Sequence, residues 1–304
     1  MSGAVSELTA IPAGLVEWWL AEGCLWVDPW EGELGARSMH PEVFFALSGP
    51  QPLRWVTRQV VRQPSEARYG RSPVRLVRST QVRVVQRPAP ADLFARFLAS
   101  LDRRDLGLSG REVRLRPIDW RVRDLGIVGR GWMMLLDGLL VARYLELVEV
   151  GGSPIEPAAT EITYGVERLA LAASSERVLD QLRQSWSPEL AVLRRREEEE
   201  LSRHLLEVTD EGELTRRLED TLREAELALG GRLAIPAYEA ILRGVQYAEV
   251  LRARGAFRTL REARAGLRLT ELSAACRDTA AAPPRQPDPA AESGIEPGTR
   301  PTDV

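Results

Sequence analysis

The spacing of apolar residues changes along this chain, and that change limits its architecture more than any other feature. Between 53 and 87 the period is two, where "PLRWVTRQVV" and "LVRSTQVRVVQ" read as strands, and further on "GWMMLLDGLLVARYLELVEV" reads as two apolar strands about Asp137-Gly138. That dipeptide suits a two-residue primed turn, because both of its residues tolerate positive φ. Helices are expected at 12–22, over "HPEVFFALSG", at 90–106 and at 162–173. From about 176 the chain becomes charged and helix-compatible, through "RRREEEELSRHLLEV", "LTRRLEDTLREAELAL", "IPAYEAILRGVQYAEVLRARG" and "TLREARAGLRLTELSAACR". The expected organisation is an α+β sheet domain over 1–175, a helical domain over 176–278 and a disordered tail over 279–304, where large apolar residues nearly vanish.

Composition narrows the function. A chain of 304 residues that is 44% hydrophobic buries one large core or two modest ones. No apolar run approaches the roughly 18–20 residues of a membrane span, and the N-terminus lacks the pattern of a signal peptide, so no membrane partner and a cytoplasmic location are expected. Cys24 and Cys276 stand far apart without metal-ligand spacing, as reduced thiols do, and with two histidines in all a zinc site would need carboxylates. The net charge of −3 gives no broad basic surface for a phosphate backbone. The chain contains no lysine, so no Walker or Schiff-base lysine exists and every cationic side chain of 41 is arginine.

The loop between the first two strands, "RQPSEARYGRSPVR", is long for a hairpin and rich in arginine. An antiparallel sheet with such a loop, followed by a helix with an arginine near its start, can clamp a nucleoside triphosphate without a glycine-rich cradle, by charge-assisted and bidentate bonds. This arrangement resembles that of a class II aminoacyl-tRNA synthetase. The segments "ELGARSMHP" (33–41), "SGPQP" (48–52), "RQPSEARYGRSPVRL" (62–76), "GWMMLLDG" (131–138), "EVGG" (149–152), "EITYGVERLAL" (161–171), "IPAYEAIL" and "LRARGAFRTLREAR" (235–264) carry a closer likeness. In order and spacing the chain, apart from its tail, resembles the α subunit of the bacterial heterotetrameric glycyl-tRNA synthetase.

The resemblance implies a class II synthetase fold, mainly an antiparallel sheet flanked by helices, with ATP and Mg²⁺ as cofactors. It implies a homodimer of α subunits, a β-subunit partner, and tRNA held mainly by that partner. By the same resemblance Arg62 is the motif 2 arginine that grips the α-phosphate and Arg168 the motif 3 arginine that holds the γ-phosphate, the two catalytic candidates. Arg68 and Arg75 belong to the motif 2 loop and join them in binding ATP. Ser38, Gln81, Glu161 and Thr163 fall in the amino-acid pocket, and Glu149 and Glu167 are the candidates for holding a metal. Gln81 and Arg83, two apart on one strand, face the same side. Taken singly, each of these arginines also has an ordinary reading as a solvated charge.

The sequence departs from the resembled family around the pocket. Where family members read "RYGENPNR" this chain reads "RYGRSPVR", so a glutamate has become Arg71 and an asparagine Val74. Met133 and Leu140 stand where the family has glutamates, Arg143 and Arg83 where it has glutamines, and Arg37 enters the loop bordering the amino-acid site. Groups able to hold a metal or an ammonium are replaced by apolar or cationic ones, a composition that suits an anion better than zwitterionic glycine. Two readings follow: a glycine–tRNA ligase α subunit that forms glycyl-adenylate and charges tRNA, or a paralogue outside translation that activates another carboxylic acid or only binds a nucleotide or other anion.

Overall fold

The computed structural model describes residues 7–72, 74–102, 111–174, 187–257 and 260–282. Seven strands form one sheet: β1 (Leu25–Trp26), β2 (Leu53–Arg62), β3 (Arg78–Arg87), β4 (Val113–Val122), β5 (Ile127–Leu136), β6 (Leu139–Val150) and β7 (Ser153–Gly165). Their spatial order is β1-β2-β3-β7-β6-β5-β4; only the short edge strand β1 is parallel to its neighbour. The β5–β6 connection is the expected two-residue turn, with φ of 47° at Asp137 and 83° at Gly138.

Alternation along the central strands divides the helices into two layers. Val82 and Val84 of β3, with Ile162 and Tyr164 of β7, point to one face and pack under α1 (Glu7–Ala21), α3 (Leu93–Leu101) and α4 (Val166–Ala173). Tyr164 fastens this layer: its hydroxyl accepts from Trp19 Nε1 at 3.0 Å and shares a hydrogen bond with Ser100 Oγ at 2.7 Å. Val85, Leu145, Leu147 and Ala159 point the other way, under α2 (Pro41–Ser48), α6 (Glu211–Gly230), α7 (Ala234–Ala253) and α8 (Leu260–Ala281). Between α4 and α6 lie α5 (Pro188–Arg203) and a single π turn, His204–Val208.

The helices beyond 188 share this second core with the sheet. Leu214, Leu218, Tyr238 and Ile241 belong to the same cluster as Val85 and Leu145. A buried Asp124 takes both Arg252 guanidinium nitrogens, and Arg277 donates to the Val150, Ser153 and Pro154 carbonyls at the β6–β7 corner. Helix α8 runs to Ala281, past the expected end of the helical part at 278. The boundary expected at 175–176 and the tail from 283 onward lie outside the described residues.

Two sequence expectations change. Residues 162–165, expected to open a helix, continue β7, and α4 begins only at Val166. Ile162 and Tyr164 alternate with polar neighbours, and both β3 and β6 offer the segment a ladder, which a helix would leave open. Strand β4 was not expected at all. Its charged alternation and Pro117 hide it, and its exposed residues identify it as the sheet edge, the position where proline is tolerated.

Candidate active site

The face of β3 that sends Val85 into the core sends Gln81 and Arg83 toward the open end of the sheet. In the same way β7 contributes Glu161 and Thr163, and β6 contributes Arg143, opposite Thr163 in register. Over Gln81, Thr163 and Arg143 lies a cleft of about 630 Å³, whereas Glu161, like Arg83, faces a small separate pocket beside His40 and Val43. The 35–38 segment walls one side, β4 another, and the start of α4 with the β2–β3 loop closes the end.

The cleft is cationic. Arg37, Arg121, Arg123, Arg143 and Arg168 line it, against Glu66, Asp119 and Glu167. Arg143 and Arg37 set their guanidinium carbons 4.1 and 4.7 Å from the centre of the Trp120 ring, cation–π contacts that hold two positive charges on one indole. Burial pushes the Arg143 guanidinium down to about 10; Glu161 opposes the shift, and Arg83, Arg37 and Arg168 add to it.

The carboxylates are largely committed. Both Glu167 oxygens accept from the Thr80 N–H, at 2.9 and 3.0 Å. Glu161 accepts from Thr163 Oγ1 at 3.0 Å. Glu66 Oε2, a buried atom, lies 3.5 Å from Arg75 Nε and 3.9 Å from Arg168 Nη2, ion pairs too long to be hydrogen bonds. Arg75 and Arg168 therefore converge on one carboxylate that either can leave for a more highly charged anion.

The glycyl-tRNA synthetase alpha subunit family model matches residues 8–282. The chain belongs to the glycyl-tRNA synthetase alpha subunit family. It is 31% identical over 261 residues to the glycine–tRNA ligase alpha subunit of Coprothermobacter proteolyticus, covering 85% of this chain and 89% of that one. The corresponding subunit of Rickettsia prowazekii is 30% identical over 270 residues, 86% of this chain and 92% of its own. Among solved structures, a pyrrolysyl tRNA synthetase of Desulfitobacterium hafniense matches at a TM-score of 0.40 and 14% identity, over 58% of this chain and 70% of that one.

Against the family's expected site, Gln81, Thr163 and Arg168 enter the cleft, together with Arg37, Met133, Leu140, Arg143 and Glu167. Arg83 lies behind it, 5% exposed, on the same side as Gln81. Its Nε donates to Gln81 Oε1 at 2.8 Å, and its terminal nitrogens donate to the Ser38, Ala36 and Gly35 carbonyls, so it braces the 35–38 wall. Ser38 is buried with its hydroxyl turned toward Gly35, away from the cleft. Arg62 does not line the cleft; the neighbouring Gln63 does, because successive strand residues face opposite sides. Arg62 opens instead on a second cavity.

In the β2–β3 loop, Arg68 bends back onto its own backbone, donating to the Ala67 and Ser65 carbonyls. Arg71 is exposed, with its guanidinium carbon 5.7 Å from the Tyr69 ring centre. Arg75 reaches the cleft only through Glu66. Helix α5 holds the loop: Glu198 accepts from the Val77 and Arg78 N–H groups at 2.7 and 3.1 Å, and Ser202 Oγ accepts from the Tyr69 N–H at 2.9 Å. Glu149 stands six residues along β6 from Arg143, about 20 Å away at strand rise, so Glu149 and Glu167 do not meet as a metal pair. No cluster of three His, Cys, Asp or Glu side chains able to hold a metal occurs among the described residues. Glu167 is bound to backbone and Glu66 faces arginines, which leaves Asp119, exposed on β4, as the cleft carboxylate that would meet a Mg²⁺ carried in by the triphosphate.

Sequence reasoning missed Trp120, Asp119, Arg121 and Arg123, all on or just after the unrecognised β4, and Gln63 and Glu66 in the loop. The alternation of Val113 and Leu115, and after Pro117 of Ile118 and Trp120, with charged residues was the available signal.

Proposed function

We propose that this chain is the catalytic α subunit of a glycine–tRNA ligase. A glycine carboxylate oxygen attacks the α-phosphorus of ATP, pyrophosphate leaves, and the terminal tRNA hydroxyl then takes the glycyl group from the adenylate as AMP departs. The observation that carries the reading is Arg168, entering the cleft from the first turn of α4 and resting on Glu66 in ion pairing loose enough to exchange for a terminal phosphate. Arg75 shares that carboxylate. A β subunit supplying most of the tRNA contact fits the chain's mild acidity, and pairing of α subunits is supported by the exposed apolar residues Val113 and Leu115 on the edge strand β4 and Trp132 beside it on β5. Among the described residues no helix is long and apolar enough to cross a membrane; the cytoplasm, where tRNA is charged, is the location this role requires.

A second reading is favoured by Arg37 and Arg143 on Trp120: an acid with a second anionic group in place of glycine. One experiment separates the two, ATP–pyrophosphate exchange by the purified chain with glycine or with a panel of mono- and dicarboxylic acids. Glycine-dependent exchange that falls on the order of 10²–10³-fold in Arg168→Ala supports the first reading. Exchange with a dicarboxylic acid alone supports the second, and no exchange with any acid refutes both.

A further inference from the structure

Behind the cleft, between the end of β2, the π turn and α7, lies a separate cavity of about 460 Å³, within the range of small-molecule sites. The Gly35–Ser38 segment divides the two spaces. On the cleft side Arg83 holds its carbonyls; on the other side Gly35 bridges Arg62 as an isolated parallel pair, and a Cβ on Gly35 would fall 2.5 Å from Gln246 Nε2.

Three groups at this cavity are built for a ligand. Gln246, on α7, is 5% exposed, lines the cavity, and has neither amide atom hydrogen-bonded. Arg62 lines it too and keeps a buried Nη1 with no acceptor. A native fold rarely leaves a buried amide and a guanidinium nitrogen unpaired in one space, because each forfeits its hydration for nothing. The third is the π turn that brings His204 and Leu205 to the wall, an irregularity that recurs at functional sites. Leu205, Leu242 and Val250 supply apolar surface, and Trp30 and Tyr247 supply aromatic surface.

From these the geometry points to a second ligand site, for a small planar anion whose donor–acceptor edge pairs with the Gln246 amide and whose charged group meets Arg62: the chemistry of a purine nucleoside monophosphate. A glutamine amide offers one donor and one acceptor side by side, which matches a purine edge, while arginine meets phosphate in a bidentate fork. The site stands apart from the reaction proposed for the cleft, and Arg168 does not line it.

The test is the affinity for AMP, by thermal shift and calorimetry, of the full chain and of Gln246→Leu, Arg62→Met and Arg143→Ala, the last in the cleft and absent from the second cavity. The expected result is that Arg143→Ala keeps the AMP response at this site, while Gln246→Leu and Arg62→Met each weaken it at least about tenfold. Adenosine and inorganic phosphate, each offering half of the ligand, bind more weakly than AMP. Without ligand, Gln246→Leu melts no lower than the parent, since it removes an unpaired buried amide, so a lost response is not lost folding. The proposal is overturned if AMP gives no response, if Gln246→Leu and Arg62→Met respond as the parent does, or if only Arg143→Ala loses the response, which would put AMP in the cleft alone.

Discussion

Arg83→Gln returns to this position the residue that the resembled family carries, and the structure says the change is damaging. Arg83 is 5% exposed and donates to four acceptors: Gln81 Oε1 at 2.8 Å, Ala36 O at 3.0 Å, Gly35 O at 3.4 Å, and Ser38 O. Glutamine is shorter, keeps one of these, and strands three. At about 1.5 kcal/mol for each bond to a charged donor, the loss is roughly 4–5 kcal/mol. Two effects offset it. Burial already disfavours the guanidinium, and its charge repels Arg143. Allowing about 1–2 kcal/mol for these leaves a net cost near 3 kcal/mol, or a fall in Tm of about 6–9 °C for a chain of this size. Calorimetry of the two proteins in one buffer measures it. Arg71→Glu, also a return to the family residue, is the control: Arg71 is exposed and outside the cleft, so its effect stays within about 0.5 kcal/mol. A fall of less than about 2 °C for Arg83→Gln, or equal effects of the two substitutions, would refute the bracing role.

Burial pushes the Glu249 carboxyl up from 4.5 to about 7, with Arg37 and Arg252 opposing and Asp124 adding. The folded chain therefore keeps a proton that the unfolded chain releases, a stabilisation present in full below about 4.5 and lost as pH rises through about 7. Urea unfolding should find Glu249→Gln more stable than the parent at pH 8 by up to about 3 kcal/mol, with the difference shrinking toward pH 5; a difference independent of pH contradicts this. Burial also raises the Cys24 thiol to about 11 and the Cys276 thiol to about 12, so neither should react with a thiol reagent at pH 8 until the chain unfolds. Glu198→Ala removes the acceptor of the Val77 and Arg78 N–H groups and should cost about 2–4 kcal/mol, with the 63–77 loop becoming the first site of limited proteolysis. Cleavage starting elsewhere would mean that α5 does not hold the loop.

The sheet, its hairpin turn and the family were legible in the sequence because they rest on local signals: alternation, an Asp-Gly pair, and motifs in order. Gln81 and Thr163 were named through the resemblance, but Thr163 was expected in a helix, and it is the pleat of β7 that turns it into the cleft. What the sequence left open depended on neighbours far along the chain. Arg62 and Gln63 differ by one position, and only the pairing of β2 with β3 and with Gly35 decides that the glutamine enters the cleft. Arg83 reads as one more pocket cation until the 35–38 carbonyls close around it. Strand β4 is polar and carries a proline, so its local alternation is weak, yet it brings Trp120 beneath two arginines. A side chain's direction follows from the period of its own strand, whereas its partner is fixed by which distant segment packs beside it, and only the tertiary structure contains that.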